Sequence, residues 1–387
     1  MSDIRPFLLD IPESELDDLR ARLALTRWPV AETVDDGSQG VRLEQLRPLV
    51  EHWRDHYDWR RVERELNGIG QFQTSIDGVD VHFLHAVSPE PDALPLLMTH
   101  GWPGSVLEFR KVIGPLTDPV AFGGDARDAF HVIAPSMPGF GFSSAPTSTG
   151  WSFDRIAEAW VTLMNRLGYE SWGIQGGDLG AGVSETIAAT NPRGLVGMHL
   201  NFSTAQPTPA EIAEADATEG RILADGQDFW VNKSSYAQQH QSGPQTIGYS
   251  LADSPVGLAA WLYSVFQNGC ATPDDALATF TKDELLDDFM LYWLPGAGVT
   301  SARTYWELRN AGWASPVTIE HPITVPTGYT QFPGEPVRQS ERWLRRRFTD
   351  LVLFHEAPRG GHYAALEQPD LFVDDVRATF RSLRPER

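Results

Sequence analysis

Apolar positions follow helical spacing in the first part of the chain and strand-like spacing after it. The leucines of segment 13–29 recur at near-helical intervals up to a closing proline, and a second helical pattern covers 43–67. Segment 76–83 alternates apolar and polar residues around an Asp-Gly pair, which is a hairpin signal. Residues 1–92 are therefore predicted to form a helical arm that ends in a β-hairpin.

Beyond residue 93 the chain alternates short apolar runs with longer spacers. Continuous apolar runs of this length are typical of strands buried on both faces, and the spacers are long enough for right-handed helical crossovers. The pattern predicts an α/β fold built on a doubly wound sheet. The predicted strands are 95–101, 130–136, 171–177, 195–201, 323–329 and 351–357.

The repeat breaks between Asn201 and Ile323, where helical patterns and aromatic residues predominate. Because α/β folds bind ligands at the carboxyl ends of their strands, this insertion is predicted to form a cap over that edge. The predicted units are an N-terminal arm over 1–92, a first core segment over 93–203, a helical cap over 204–316 and a second core segment over 317–387.

Charge and cysteine content restrict the partners and the compartment. The 387 residues carry 31 basic and 52 acidic side chains, and the formal charge of −21 disfavours nucleic acid and anionic membranes as partners. Cys270 is the single cysteine, which excludes an intramolecular disulfide and a cysteine-based zinc cluster and favours a reducing compartment. No signal-peptide pattern opens the chain, and no window holds the roughly 18 to 20 apolar residues of a membrane span. A cytoplasmic protein without cofactor or metal is expected.

The segment GIQGGDLGAG, residues 173–182, places Asp178 between Gly176 and Gly180. This small-x-nucleophile-x-small pattern after a strand is the nucleophile elbow of α/β-hydrolases, with a carboxylate where most such enzymes carry serine. The alternative is an aspartate that caps a helix after a glycine-rich strand end. The pattern makes Asp178 the candidate nucleophile.

Two further segments supply candidate partners for Asp178. HGWPGS, residues 100–105, is similar to the loop that provides one oxyanion-hole amide, which gives the backbone N–H groups of Trp102 and Leu179 as donors; the alternative is a plain turn. His362 follows the last predicted strand, in the chain order nucleophile, acid, base.

Two glutamates are candidates for the acid that orients His362. Glu335 follows the predicted strand 323–329 through a short loop, as the fold requires, whereas Glu320 precedes that strand. Glu335 is therefore preferred.

Seven motifs in order resemble the microsomal-type epoxide hydrolase family, and the similarity covers nearly the whole chain. They are TRWP (26–29), YDWRRVERELN (57–67), IDGVDVHF (76–83), HGWPGSVLEF (100–109), QGGDLGAG (175–182), DSPVGLAAW (253–261) and GGHYAALEQP (360–369). The resemblance implies an α/β-hydrolase fold with a helical cap and an N-terminal arm. Because the membrane anchor of some members is missing from the sequence, the chain resembles the soluble bacterial members.

The resemblance also implies an activity, which is hydrolysis of an epoxide to a vicinal diol through a covalent ester. It places the nucleophile on Asp178, the base on His362 and the orienting acid on Glu335, with epoxide and water as the only reactants. Two cap tyrosines that donate to the epoxide oxygen fall on Tyr236 and Tyr305. The alternates are Tyr249, Tyr263 and Tyr329.

The thirteen tryptophans suggest an aromatic or bulky apolar epoxide, in detoxification, such as catabolism of aromatic hydrocarbons, or in the biosynthesis of antibiotics and other natural products. The arm is long enough to wrap its own core or a second copy, so a homodimer is an alternative to a monomer. Two departures from the family are Leu179, where tryptophan is frequent, and the loop 34–42, which lacks an expected tryptophan. The first departure affects the shape of the pocket, and the second affects only local packing.

Two other functions are alternatives to epoxide hydrolysis. A haloalkane dehalogenase also uses an elbow aspartate and a histidine, but it needs N–H donors, usually tryptophan or asparagine, around the halide; Leu179 and the tyrosine pair favour the epoxide. A catalytically silent binding protein is disfavoured because all five proposed catalytic positions hold competent residues.

The GxG of 138–143 lacks the rest of a dinucleotide fingerprint and is predicted to be a loop. His52 and His56, four apart on a helix, lack a third metal ligand.

Overall fold

The apolar runs form one nine-stranded sheet in the computed structural model, which describes residues 4–313 and 315–384. The strands are β1 (Ile4–Pro6), β2 (Gln71–Ile76), β3 (Val79–Ala86), β4 (Leu94–Thr99), β5 (Phe130–Pro135), β6 (Trp172–Gly176), β7 (Leu195–Leu200), β8 (Thr327–Gln331) and β9 (Leu351–Glu356). Residues 1–3, 314 and 385–387 of the predicted arm, cap and second core segment lie outside the described residues.

The strand order is β1-β2-β3-β5-β4-β6-β7-β8-β9. Strands β4 to β9 pair in parallel, as their continuous apolar runs predict. The central strands β4, β6 and β8 are fully buried, whereas the edge strand β9 is mostly only partly buried. The hairpin β2–β3 extends the sheet through an antiparallel pairing of β3 with β5. The result is the α/β-hydrolase fold with a mixed sheet, in which the hairpin of the arm forms part of the core sheet.

The helices occupy the spacers and the insertion. In the arm they are α1 (Glu13–Ala24), α2 (Leu43–Asp55) and α3 (Trp59–Ile69); in the first core segment α4 (Arg110–Thr117), α5 (Phe153–Leu167) and α6 (Asp178–Thr190). The insertion holds α7 (Pro209–Ala213), α8 (Ala217–Asp228), α9 (Ser235–Ser242), α10 (Pro244–Asp253), α11 (Pro255–Gly269), α12 (Ala276–Thr279), α13 (Lys282–Trp293) and α14 (Ala297–Asn310). The last core helices are α15 (Glu341–Arg345), α16 (Ala364–Glu367) and α17 (Pro369–Arg381).

Element boundaries differ from the sequence pattern where local polar groups or prolines intervene. Helix α1 ends at Ala24 instead of continuing to Pro29. Just after this end, the Thr26 hydroxyl donates to the carbonyl of Leu23 at 2.7 Å. The second helical run is split into α2 and α3 by Asp58, whose side chain accepts from the amide of Arg60 and starts a new helix.

Two strands differ from the prediction: the structure has β8 at Thr327–Gln331 instead of 323–329, and it has β1, which the sequence pattern does not predict. Strand β8 begins only at Thr327, because Pro326 has no N–H to contribute to the ladder; Ile323 keeps a single bridge to Phe348. Strand β1 has three residues and no alternating apolar pattern, so the sequence carries no signal for it.

A buried carboxylate joins the arm, the core and the insertion. Asp287 of α13 is 1% exposed and accepts hydrogen bonds from Tyr57 at 2.8 Å and from Arg61 at 2.6 Å, both in the arm. Arg110 of the core also pairs with Asp287. A buried carboxylate is stable only with such compensation, so this contact fixes the arm against its own core.

No helix in the described part of the chain is both long and apolar enough to cross a membrane.

Candidate active site

A strained turn exposes Asp178 at the carboxyl end of β6. Asp178 has a φ of 47°, a left-handed conformation that costs free energy for a residue with a side chain, and it starts helix α6 directly after the turn. A Cβ on Gly176 would lie 2.3 Å from the carbonyl oxygen of Gly180. The turn can therefore close only because these positions carry no side chain.

Gly180→Ala is expected to prevent this turn from forming. The added Cβ would lie 1.9 Å from the carbonyl oxygen of Thr99, far inside van der Waals contact with backbone that cannot move aside. We expect the variant to lose about 3 kcal/mol or more of stability, measured by denaturant unfolding. Gly220→Ala is the matched control: it lies in α8 with nothing within 4 Å of its Cβ. It should be unchanged or more stable by about 0.5–1 kcal/mol. Equal stability of the two variants would contradict this account of the turn.

His362 lies between two carboxylates. Its Nδ1–H donates to Glu335 Oε2 at 2.6 Å, and its Nε2 lies 3.4 Å from Asp178 Oδ2. Glu335 is 3% exposed and its second oxygen accepts from the amide of Val337 at 3.2 Å. The structure therefore brings Asp178, His362 and Glu335 together, while the alternative acid Glu320 is exposed in a turn.

The two carboxylates decide the protonation of His362. Burial disfavours the imidazolium, but the charges and hydrogen bonds of Glu335 and Asp178 outweigh burial and raise the pKa of His362 well above its usual range. With Nδ1 bound to Glu335, the Nε2 atom is the one that faces Asp178. In this arrangement His362 is cationic as long as Asp178 carries its charge.

The loop 100–105 brings a backbone donor to the nucleophile. The amide of Trp102 donates to Asp178 Oδ1 at 2.8 Å, and Gly101 permits the approach, since a Cβ there would lie 2.3 Å from Asp178. The amide of Leu179 lies in the first turn of α6, where helix N–H groups have no intrahelical acceptor. Of the two predicted oxyanion donors, the Trp102 amide thus contacts the Asp178 carboxylate directly, and the Leu179 amide directly follows Asp178 in the chain.

Tyr236 of α9 and Tyr305 of α14 face the Asp178 site from the insertion. Both are buried, and their rings meet edge to face at 6.0 Å. The indole of Trp102 stacks on Tyr236 at 5.0 Å and meets Tyr305 edge to face at 6.1 Å. Burial is the main cause that raises the pKa of both phenols, and the negative charge of Asp178 raises it further, so they are protonated donors at neutral pH.

The three alternate tyrosines do not line this site. Tyr249 is 70% exposed on α10, whereas Tyr263 and Tyr329 are fully buried with hydroxyl groups that have no hydrogen-bond partner.

A cavity of about 490 Å³ is lined by the Asp178, His362 and Glu335 side chains and by the two phenols, and it extends to the surface. Its bottom is formed by Asp178, Tyr236 and Tyr305, which are largely buried, and its mouth by Trp230 and Trp313, which are 46% and 38% exposed. Among the residues that the structure describes, the charged ones that line it are Asp178, Glu335 and His362. The other lining residues are Phe153, Leu179, Phe202, Thr204, Gln206, Phe229, Ser234, Gln238, Gln241, Val265, Gly269, Pro336, Val337 and Tyr363. Because the insertion roofs this cavity, it covers the carboxyl ends of the strands.

Comparison with known proteins places the chain in a family. A family model described as "Epoxide hydrolase N terminus" matches residues 4–109, and one described as "alpha/beta hydrolase fold" matches 95–251. A protein of Stigmatella aurantiaca named "Putative epoxide hydrolase" is 48% identical over 98% of this chain and 86% of its own length. Epoxide hydrolase 1 of Oryctolagus cuniculus is 34% identical over 96% of this chain and 88% of its own length. The chain belongs to the epoxide hydrolase family.

Solved structures agree with this assignment. The juvenile hormone epoxide hydrolase of Bombyx mori superposes with a TM-score of 0.89 and 28% identity, covering 99% of this chain and 95% of that one. The epoxide hydrolase of Aspergillus niger superposes with a TM-score of 0.87 and 29% identity, covering 98% and 96%. The predicted family and fold are therefore confirmed.

Sequence reasoning missed most of the cavity wall of this epoxide hydrolase. Phe153 lies on the core helix α5, Phe202 and Thr204 follow β7, and the aromatic residues Phe229 and Trp230 lie in a short π-helical turn of the insertion. Their positions depend on how the insertion packs on the sheet, which the sequence pattern does not specify. Tyr363 carried a usable signal, because it directly follows His362.

Two weaker sequence signals have other structural roles in this epoxide hydrolase. The segment 138–143 is a loop after β5, and the carbonyl of Gly139 accepts a hydrogen bond from Thr300 of the insertion at 2.6 Å. His52 contacts Asp283 at 2.7 Å through Nε2, which connects the arm to α13. No group of three or more potential metal ligands occurs among the described residues.

Proposed function

We propose that this enzyme hydrolyses neutral aromatic or bulky apolar epoxides to vicinal diols through a covalent ester on Asp178. The observation that carries the proposal is one cavity that holds a carboxylate at a nucleophile elbow, a histidine–glutamate pair and two buried phenols. Each of these groups supports one step of a two-step displacement.

The first step uses Asp178 as the nucleophile. An epoxide has no carbonyl group, so its carbon is opened by backside displacement and the nucleophile must already be an anion. A carboxylate is ionised at neutral pH without a base, whereas serine would have to lose a proton in the same step. One oxygen of Asp178 forms a bond to the epoxide carbon while the bond from that carbon to the ring oxygen breaks.

The leaving alkoxide needs a proton, which the two phenols supply. Tyr236 and Tyr305 are protonated at rest, since burial and the charge of Asp178 raise the pKa of both. One phenol transfers its proton to the ring oxygen and the other donates a hydrogen bond, so a tyrosinate and a neutral hydroxy-ester result.

The second step needs a base, and ester formation creates one. Once Asp178 is an ester, the negative charge 3.4 Å from His362 Nε2 is gone, and only Glu335 continues to raise the pKa of His362. The imidazolium can then pass its proton to the tyrosinate left by the first step, and the neutral imidazole accepts a proton from water at Nε2. Alkylation of the nucleophile thus switches His362 from cation to base.

The remaining atoms balance without a cofactor. Water adds to the Asp178 carbonyl carbon, and the amides of Trp102 and Leu179 stabilise the oxyanion that results. Collapse releases the diol, which keeps the Asp178 oxygen gained in the first step. The departing alkoxide takes the proton of the new carboxyl group, which restores the Asp178 carboxylate with one oxygen from water. His362 keeps the proton that it took from water and is cationic again, as at rest.

The cavity favours an epoxide over a haloalkane. A halide leaving group needs N–H donors at the point where it departs, and the indole N–H of Trp102 already donates to Ser301 at 3.2 Å. The indole N–H of Trp261 likewise donates to His240 at 2.9 Å. Hydroxyl groups of Tyr236 and Tyr305 face the site instead, and their proton suits an alkoxide.

Charge in the cavity defines the substrate class. Asp178, Glu335 and cationic His362 give the lining a net charge of −1, and no lysine or arginine lines it. A carboxylate on the substrate would lose hydration and be repelled by Asp178. The apolar and aromatic walls together with the glutamines at the mouth suit a neutral, largely apolar epoxide, a class that includes the epoxides of aromatic hydrocarbons.

This proposal is tested with a pair of aryl epoxides that differ only in carrying a methyl ester or the free carboxylate away from the ring. We expect diol from the ester, with kcat/KM at least about tenfold above that of the acid, because only the acid is repelled. Gln238→Lys at the exposed mouth should raise kcat/KM for the acid and so reduce the ester-to-acid ratio of kcat/KM. Gln238→Glu should not raise kcat/KM for the acid. Halide release from haloalkanes without diol from any epoxide would overturn the function, whereas equal turnover of ester and acid would overturn only the substrate class.

Replacement of the cavity phenols tests the first step. Tyr236→Phe and Tyr305→Phe each remove one donor to the ring oxygen, and we expect ester formation to slow by about 10- to 100-fold in each variant. The double variant should slow far more than either single one, since no proton donor then remains. Tyr249→Phe, on the exposed alternate tyrosine, is the control and should react like the parent. A double variant that forms ester at the parental rate would refute the role of the phenols.

A further inference from the structure

A small cavity lies behind the loop 100–105, separate from the substrate cavity. It offers about 10 Å³ for the centre of a water molecule, which is close to the space that one ordered water needs. Its lining residues are Gly104, Leu107, Glu108, Arg110, Phe266, Glu284, Asp288, Tyr363 and Leu366. Two of the charged ones, Arg110 and Glu284, already have partners, respectively Asp287 and Lys111.

Two buried polar atoms in this lining have no hydrogen-bond partner. They are Asp288 Oδ2 and Tyr363 Oη, on side chains that are 6% and 2% exposed respectively. The other oxygen of Asp288 accepts from the Ser105 hydroxyl at 2.6 Å, so Asp288 is held against the loop. An unmade hydrogen bond on a buried carboxyl or hydroxyl is costly, and ordered water is the usual partner of such groups. These two atoms identify the cavity as a hydration site.

A third polar group reaches the same cavity because position 104 is glycine. A Cβ on Gly104 would lie 2.7 Å from Glu108 Oε2, so the carboxyl of Glu108 occupies the space that a side chain at 104 would fill. Burial raises the pKa of Glu108 to about 7; His362 lowers it and Asp178 raises it. The carboxyl therefore lies within electrostatic reach of the base and of the nucleophile.

Tyr363 connects this hydration site with the chemistry. It directly follows His362 and lines both the small cavity and the substrate cavity. When an apolar substrate fills the main cavity, water cannot enter through the mouth, yet the second step consumes one water. A water held on the other side of Tyr363 would be the nearest supply.

We propose that Glu108, Asp288 and Tyr363 hold a water molecule that supplies the hydrolysis of the Asp178 ester, with Glu108 and Tyr363 acting as positioning residues. The proposal rests on the covalent mechanism above. The water oxygen bonds to the carbonyl carbon of Asp178 and one of its protons moves to His362 Nε2. The other proton stays on the new carboxyl oxygen until the departing alkoxide takes it, so no further reactant is needed.

Glu108→Gln and Tyr363→Phe test this proposal through the two steps measured separately. In rapid-quench single turnovers with an aryl epoxide, intact mass gives the rate of ester formation and the rate of ester loss. We expect each variant to form the ester within about twofold of the parental rate and to hydrolyse it about tenfold more slowly, since one ligand of the water is lost. The ester should therefore accumulate.

Tyr263→Phe is the matched control. Tyr263 is also fully buried with an unpartnered hydroxyl, but it lines neither cavity, so its loss should change neither rate. Parental ester loss in both test variants, or equal slowing of formation and loss, would overturn the hydration site. If Glu108→Gln does not fold, Tyr363→Phe alone decides between these results. A parental enzyme that never forms an ester would overturn the covalent mechanism as well, and this is visible before any variant is made.

Discussion

His362→Gln is expected to react with one equivalent of an aryl epoxide and then stop. Glutamine can accept or donate a hydrogen bond near Glu335, but it cannot take a proton from water, so the ester on Asp178 has no base to hydrolyse it. We expect turnover to fall by about 10³-fold or more while the first, stoichiometric reaction proceeds. Intact mass should show a stable adduct equal to the whole epoxide.

The same variant tests the charge switch at His362. Cationic His362 lies 3.4 Å from Asp178 in the resting enzyme, so its removal takes away a charge that holds the carboxylate. Loss of this charge can slow ester formation in His362→Gln, but the rate should remain within about tenfold of the parent, because the nucleophile itself is unchanged. His321→Gln, an exposed histidine in a loop, is the control and should turn over normally. A His362→Gln enzyme with normal turnover would contradict the role of the base.

Asp178→Ala is expected to abolish both adduct formation and turnover. The variant removes the only carboxylate that lies at the elbow and next to the amide of Trp102. Water would then have to attack the epoxide directly, and we expect kcat to fall on the order of 10⁴-fold or more. Epoxide consumption and diol formation measure this loss, and thermal unfolding confirms that the variant folds.

The double variant Asp178→Ala/His362→Gln separates the ester on Asp178 from adducts elsewhere. Glu335 and Glu108 are also carboxyls near the cavity, and a reactive epoxide can alkylate any accessible carboxylate. The adduct of His362→Gln should disappear in the double variant. An adduct of equal yield that persists there would show that another side chain is alkylated.

Part of this site could be predicted from short sequence patterns because they reflect local backbone geometry. Glycine at 180 is required by the neighbouring strand β4, since a Cβ there would lie 1.9 Å from the carbonyl oxygen of Thr99. Glycine at 176 is required by the turn itself, since a Cβ there would lie 2.3 Å from the carbonyl oxygen of Gly180. A pattern that depends on steric contact within a few residues can be recognised in a single sequence. The place of His362 after β9 is likewise a consequence of chain order in the fold.

The residues of the cap that reach the site could not be predicted in this way. Tyr236 and Tyr305 reach the site because α9 and α14 pack beside Trp102, a contact between segments more than 100 residues apart. Only the family resemblance selected them from nine tyrosines. Glu108 lies within the motif of residues 100–109, but the motif assigns it no role, since that role depends on the space left by Gly104 and on a buried aspartate of α13.

Local effects also explain the errors in the element boundaries. Pro326 shifts the start of β8, and Asp58 divides one helical pattern into two helices. In both cases a single residue with special backbone chemistry prevailed over a longer apolar pattern.

The central claim is that the new oxygen of the diol comes from Asp178 and not directly from water. A single turnover with enzyme in excess, in water enriched in ¹⁸O, tests this claim directly. The account predicts that the first diol carries no ¹⁸O and that the peptide containing Asp178 gains one heavy oxygen, because water attacks the ester carbonyl carbon. A first diol that carries ¹⁸O, with Asp178 unlabelled, would mean that water opens the epoxide itself and would contradict the covalent mechanism.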